Sequence, residues 1–320
     1  MAVYTHITDD DLSAFLEEYD IGELTSFSGI AEGVENSNFL VRTTTGTYIL
    51  TLYEKRVDPN DLPFFLGLMG HLSAGGMSCP TPVSARDGKA LKELNDRPAA
   101  IVTFLEGVWP RRIQPGHCRS LGGAMAAMHL AGENFEMRRV NALSVESWRP
   151  LLSSCGLPGH EIYHALYNEL NVELGRLESD WPTDLPSGVI HADMFPDNVF
   201  FLNEDVSGII DFYFACTDIL AYDLAICLNA WCFENDGSFN VTKARLMISS
   251  YQKVRRLSPE ELAALPILAR GSAMRFLLTR LYDWLNQPEG ALVKPKDPME
   301  YLRKLRFHQK VSGPNAYGLE

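Results

Sequence analysis

Val189-Ile190-His191-Ala192-Asp193-Met194-Phe195-Pro196-Asp197-Asn198-Val199 sets His, Asp and Asn on a tight polar turn between two apolar runs, 188–190 and 199–202. A further apolar run, Gly208-Ile209-Ile210, ends in a second carboxylate, Asp211. An Asp with an Asn five residues on, and another Asp about two short strands later, suits magnesium-assisted phosphoryl transfer. In that chemistry the first Asp accepts the proton of the acceptor hydroxyl, while the Asn and second Asp hold the metal on the nucleotide phosphates. The plain alternative is a polar turn with an N-capping Asp, because Asp, Asn and Pro are ordinary turn residues. Asp211 in its Ile-Ile-Asp-Phe setting tips the reading toward chemistry. Asp193 is then the catalytic carboxylate, and Asn198 and Asp211 are the metal ligands.

Upstream of this stretch, Thr8-Asp9-Asp10-Asp11 before Leu12, Phe15 and Leu16 predicts a capped first helix. Strand-like segments follow on both sides of a bend that carries Gly29 and Gly33, and 47–53 reads as another strand. Apolar residues at 62, 65, 66, 69 and 72 have helical spacing. Residues 82–91 read as a hairpin and 98–105 as a buried strand. The first ~105 residues therefore spell β-β-β-α-β-β, a small sheet with a helix against it. From Gly116 on the pattern is helical, over 117–131, 145–153, 159–178, 220–233, 242–256, 259–285 and 298–308, interrupted only by 189–211. The expected fold class is α+β in two lobes. A β-rich N-lobe over 1–105 would bind nucleotide, and a larger, mainly helical C-lobe over 106–320 would carry the catalytic loop and substrate site. Residues 104–107 would form the hinge between them.

Composition sets outer bounds. The chain has 320 residues, 46% apolar and 22% charged, as expected of a globular protein with two cores. No apolar run reaches the roughly 18–20 residues of a membrane span, and the N-terminus has no signal-peptide pattern. Six cysteines without C-x-x-C or zinc spacing read as reduced core residues, and the expected location is cytoplasmic. A net charge of −13 disfavours nucleic acid as a partner, but not a nucleotide, whose metal supplies positive charge locally.

The Gly29–Gly33 bend suits close approach of backbone N–H groups to phosphates, and a simple hairpin turn fits the same residues equally well. Walker A spacing is absent around Gly88-Lys89, and no G-x-G-x-x-G opens a helix. A kinase-type lysine on the third strand would stand at Thr51, and its glutamate partner on 62–72, which holds no acid. Losing both together is coherent, since either charge buried alone would be costly. Lys55 reads as a solvated lysine. His129 reads as a packed helix-end histidine, His191 as a brace for the loop backbone, Asp197 as a turn residue and Asp223 as a buried brace near a helix start. Arg275 and Arg280 lie in an apolar helix and need a partner, an internal carboxylate or an anionic substrate group: Arg280 can meet Asp283 or Trp284, while Arg275, without a local acid, suits a substrate carboxylate.

His191-x-Asp193-x4-Asn198 with Asp211 following has the spacing of a kinase catalytic loop and resembles the aminoglycoside phosphotransferase/choline kinase group. Within that group the chain is most similar to the bacterial homoserine kinases of phosphotransferase-like type. That likeness is carried by 29–38, 62–66, 210–218, 275–284 and Lys296-Asp297-Pro298, and it runs from about residue 1 to 310. It implies a protein kinase-like fold, ATP and Mg2+ as cofactors, and L-homoserine as the small-molecule substrate, phosphorylated on the route to threonine. It implies that Asp193 activates the hydroxyl and that Asn198 and Asp211 bind magnesium. Gly29, Gly33 and Thr51 would face the nucleotide, and the backbone of Phe104, Leu105 and Glu106 would face adenine. Thr51 departs from the superfamily pattern. The competing readings are another small-molecule kinase of the same fold, for an aminoglycoside, choline or methylthioribose, and a nucleotide-binding pseudokinase.

Overall fold

A computed structural model of the chain describes residues 5–30, 36–54, 57–156, 164–287 and 295–319. The Thr8 hydroxyl accepts from Asp11 N–H while Asp11 Oδ2 accepts from Thr8 N–H. This reciprocal cap starts α1 (Asp9–Leu16), whose Leu12, Phe15 and Leu16 are buried. Next come β1 (Leu24–Gly29), β2 (Ser37–Thr43), β3 (Thr47–Leu52), α2 (Leu62–Ala74), β4 (Leu91–Leu94) and β5 (Arg97–Thr103). The five strands form one antiparallel sheet in the order β1-β2-β3-β5-β4.

Strand alternation divides the sheet's side chains between two cores. Phe39, Val41, Leu50, Leu52, Ala99 and Ile101 meet α1 in a small outer cluster. Ala100 and Val102 point the other way, toward α2, and belong to a larger cluster that continues through the helices of the second half. The packing thus does not stop at the expected 105/106 boundary: α2 shares its core with the helical lobe.

One strand expectation is corrected. A tight turn does lie within 82–91, closed by Gly88 N–H to Ala85 O and Ala85 N–H to Lys89 O, both 2.8 Å. The hairpin itself is β4–β5, turning on Asn95 and Asp96 at φ 50° and 58°. Asn and Asp tolerate the left-handed region that such two-residue turns demand. Pro82 lacks an N–H for a ladder and joins only a single bridge, to Val102.

The second half contains α3 (Pro115–Ala131), α4 (Val145–Ser154), α5 (His164–Asp180), α6 (Leu220–Trp231), α7 (Val241–Val254), α8 (Pro259–Leu285) and α9 (Pro298–His308). The expected start of α5 at 159 lies outside the described residues. Two antiparallel strand pairs interrupt the helices: β6 (Ser187–Ile190) with β9 (Cys216–Ile219), and, in the chain between them, the hairpin of β7 (Val199–Leu202) with β8 (Asp205–Ile209). The 191–198 loop joins β6 to β7, and Asp211 lies between β8 and β9. The two strand pairs therefore bring both halves of the motif to one place. The 104–107 connection runs onto β7, where Val108 and Phe201 exchange backbone hydrogen bonds of 3.1 and 2.9 Å. α8 is apolar and long enough to cross a membrane, but most of it is buried inside the protein. Its Arg270 donates to Glu173 of α5 at 2.8 Å, as suits a central core helix. All six cysteines are unpaired and buried.

Candidate active site

The 191–198 loop begins with strain. Ala192 has φ 61°, a left-handed conformation that costs an alanine on the order of 1 kcal/mol. Side chains from below hold it. Asp223, fully buried near the start of α6, accepts the N–H groups of His191 and Ala192, each at 2.9 Å. Arg275 of α8 donates from Nη1 to Ala192 O at 2.8 Å. The Ala192 residue is therefore gripped at its N–H by an anion and at its carbonyl by a cation. Further along, Trp231 Nε1 donates to Met194 O at 2.8 Å, and Phe195 N–H to Asp193 O at 2.8 Å.

Asp223 is itself supported. His129 Nε2 reaches its Oδ2 at 3.2 Å, and His129 Nδ1 meets the Tyr251 hydroxyl at 2.7 Å. Burial would raise the Asp223 carboxyl, yet the His129 hydrogen bond, the nearby imidazoles and the His191 N–H hold it below the usual carboxylate range. His191 is buried, which lowers its tendency to take a proton despite the Asp223 charge and the Ile210 carbonyl. As a neutral ring it accepts Asp193 N–H at Nδ1 (3.3 Å) and donates from Nε2 to Ile210 O (2.9 Å). One imidazole thus ties the Asp193 backbone to the residue before Asp211. His129, His191 and Asp223 are packed braces, as the sequence reading expected.

The motif residues converge. Asn198 Nδ2 donates to Asp193 O at 2.9 Å and to Asp193 Oδ2 at 3.2 Å, which turns the amide oxygen away from Asp193. Ile210 N–H donates to Asn198 O at 3.0 Å, bringing the Asp211 turn alongside. Asp211 is itself left-handed, at φ 64°. Asn198 and Asp211 offer oxygen donors, the type a hard divalent cation takes. Asp197 is exposed, and its Oδ2 lies 3.8 Å from Lys296 Nζ.

The other expected site residues are distributed as follows. Thr51 is buried in β3 opposite Asn38, to whose Oδ1 its hydroxyl donates at 2.8 Å. Gly29 closes β1, paired with Phe39, whereas Gly33 and Lys55 lie outside the described residues. Phe104 is half exposed on the connection between sheet and helices. Leu105 packs on Gly208, and the Glu106 carbonyl already accepts from Ser207 Oγ at 2.8 Å.

Two arginine expectations change. Arg275 is only 1% exposed and its Nη1 serves Ala192, so it lies beneath the loop and not on an open face where a substrate carboxylate could dock. Arg280 bypasses Asp283 and pairs with Glu300 of α9 at 2.7 Å, stacked over Tyr301. Sequence reasoning also missed two contacts: the hydroxyl pairing of Tyr53 with Tyr213, and Arg139, which joins Asp61 at 2.6 Å to Ala215 O at 3.2 Å. Neither has a local sequence signal, because the partners are separated by about 75 to 160 positions.

The model of the phosphotransferase enzyme family matches residues 26–257. The homoserine kinase of Paramagnetospirillum magneticum is 64% identical over 326 residues, covering 100% of both chains. That of Rhodospirillum rubrum is 64% identical over 319 residues, covering 100% of this chain and 99% of its own. Among solved structures, an amicoumacin kinase in complex with AMP-PNP and Ca2+ has a TM-score of 0.68 at 15% identity, covering 95% of this chain and 93% of that one. A choline kinase from Cryptosporidium parvum has a TM-score of 0.68 at 13% identity, covering 95% of each. These two structures speak to the fold, which is the two-lobed kinase-like one expected.

Proposed function

The chain belongs to the phosphotransferase enzyme family and, at 60–64% identity over its whole length, stands with the homoserine kinases; from this premise we propose that it transfers the γ-phosphoryl group of ATP to the side-chain hydroxyl of L-homoserine, giving O-phospho-L-homoserine. The observation that supports this reading best is the bracket of Asn198 across Asp193, tied through Ile210 to Asp211. It supports a reading of Asp193 as the base beside Asn198 and Asp211 as oxygen ligands, on the loops that follow β6 and β8. A binding protein without turnover has no need of such a base, which disfavours the pseudokinase reading.

Asp193 is the group that orients the acceptor hydroxyl and takes its proton. Because the transition state of phosphoryl transfer is loose, positioning matters more than basicity, and the bracing of Ala192 and Asp193 serves that need. Asn198 and Asp211 would hold Mg2+, which when bound neutralises charge on the nucleotide phosphates. Among the described residues no cluster of three or more His, Cys, Asp or Glu forms a metal cage, so the phosphates would complete the coordination. Arg275 acts as a positioning residue, through Ala192. Backbone groups of Phe104 and Leu105, together with Gly29 at the end of β1, are the nucleotide contacts on the sheet side.

The test is Asp193→Ala. It should bind Mg·AMP-PNP with wild-type affinity while turnover falls on the order of 10²–10⁴-fold, the range for a positioned acid–base group. Near-normal turnover would remove Asp193 from the mechanism.

A further inference from the structure

In kinase folds of the lysine–glutamate type, an ion pair joins the third strand to the following helix, and the metal-binding Asp must be in register with both. Here that strand position is Thr51, and α2 carries no acid. The three segments are nonetheless joined, by neutral groups. Tyr53, just past β3 and 2% exposed, places its hydroxyl 3.2 Å from that of Tyr213, two residues beyond Asp211. Their rings meet edge-on at 5.4 Å. From α2, Phe65 meets the Tyr213 ring edge-on at 5.6 Å. Arg139 adds a stay, stacking over Phe65 at 5.0 Å while it holds Asp61, ahead of α2, and Ala215.

We propose that Tyr53, Tyr213 and Phe65 are the positioning residues that lock the Asp211 turn to β3 and α2, a neutral latch in the place of the strand–helix ion pair. The reasoning is physical. The Asp211 turn is left-handed and needs an external constraint to persist. A hydroxyl pair between two buried rings supplies direction, and edge-on aromatic contacts supply packing without any buried charge to desolvate. Tyr213 is the hub, because it touches both the strand side and the helix side. The latch acts on the nucleotide only through Asp211, so it rests on the reading of Asp211 as a magnesium ligand.

The experiment measures, by calorimetry on the full-length protein, the affinity for AMP-PNP with Mg2+ and with EDTA. The ratio of the two is the gain due to magnesium. Asp211→Asn should abolish that gain. Tyr53→Phe and Tyr213→Phe should each reduce it about 3- to 10-fold, the scale of one lost hydrogen bond. The double variant should lose no more than the larger single loss, since both changes remove the same pair. The KM for homoserine should not move in any of the tyrosine variants. A gain within twofold of wild type in both single variants overturns the latch, as does a double variant in which the two losses add. If either phenylalanine variant does not fold, Phe65→Leu tests the same contact from the helix, with the same reduction expected and the same null result fatal. A full magnesium gain in Asp211→Asn would instead sink the metal reading itself, and that result is separate from the tyrosine outcomes.

Discussion

Beneath the 191–198 loop the buried contacts are charged: Asp223 under two N–H groups, His129 behind it, and Arg275 against the Ala192 carbonyl. Between β3, α2 and the Asp211 turn they are neutral: Thr51, Tyr53, Phe65 and Tyr213. The two regions meet at Ile210–Asp211, where His191 Nε2 donates to the Ile210 carbonyl. The difference teaches where this fold requires charge. A strained loop with orphan N–H groups gains from a buried anion, because each N–H left unpaired would cost about 1–3 kcal/mol. On the sheet side strand and helix are joined by rings and hydroxyls, which carry no buried charge to desolvate.

The charged side should break hardest. Asp223→Ala would leave the His191 and Ala192 N–H groups and the His129 ring without their acceptor in the core. We expect a loss of about 3–5 kcal/mol of stability, as for a buried charged network missing one partner. Misplacement of Asp193 should cost roughly 10²-fold or more in kcat. Denaturant unfolding together with steady-state kinetics would check both. A variant of full activity and stability would show that the loop holds itself.

Arg275→Met comes next. Losing one hydrogen bond from a charged donor should lower kcat about tenfold, with the homoserine KM within about threefold. A large rise in that KM at constant kcat would instead return Arg275 to the role of carboxylate ligand. The neutral side should respond less: Tyr213→Phe should alter the magnesium gain and leave the loop's stability alone.

The smallest effect lies away from both regions. His308 sits between Tyr317 and Asn229, its Nδ1 2.8 Å from the Tyr317 hydroxyl and its Nε2 3.1 Å from Asn229 Oδ1. Burial, then Lys304 and Arg270, push it from its ordinary 6.5 down to about 3. A depressed histidine leaves the unfolded chain with more bound protons between those values. Its contribution to stability is therefore full above about pH 6.5 and lost progressively as pH falls toward about 3. Unfolding midpoints measured through that window should decline, and His308→Gln should flatten part of the decline.

How far the sequence could be read follows from the range of the interactions. Helices α8 and α9 and the capped α1 were legible because their signals are local: periodicity, Pro at the first turn, and capping residues. The catalytic loop was legible because its chemistry fixes residue types at short spacing. Asp223 could be read as a brace because an acid inside Ala-Tyr-Asp-Leu-Ala has few other uses. The contact of Arg275 was not legible because its partner is a backbone carbonyl 83 positions away, and carbonyls leave no mark on sequence. The 82–91 hairpin was misplaced because Gly88 marks a turn without saying which strands pair beyond it. The absence of a lysine at Thr51 was visible, but what replaces it was not, since Tyr213 reaches β3 only in the fold.

The central claim is tested most directly by ADP release from MgATP in the presence of homoserine, choline, an aminoglycoside or methylthioribose in turn, with the phosphorylated product identified by phosphorus NMR. The account predicts turnover with L-homoserine, a product phosphorylated on its side-chain oxygen, and only background rates with the other three. Turnover with one of those acceptors and not with homoserine, or ADP release with none, would contradict it.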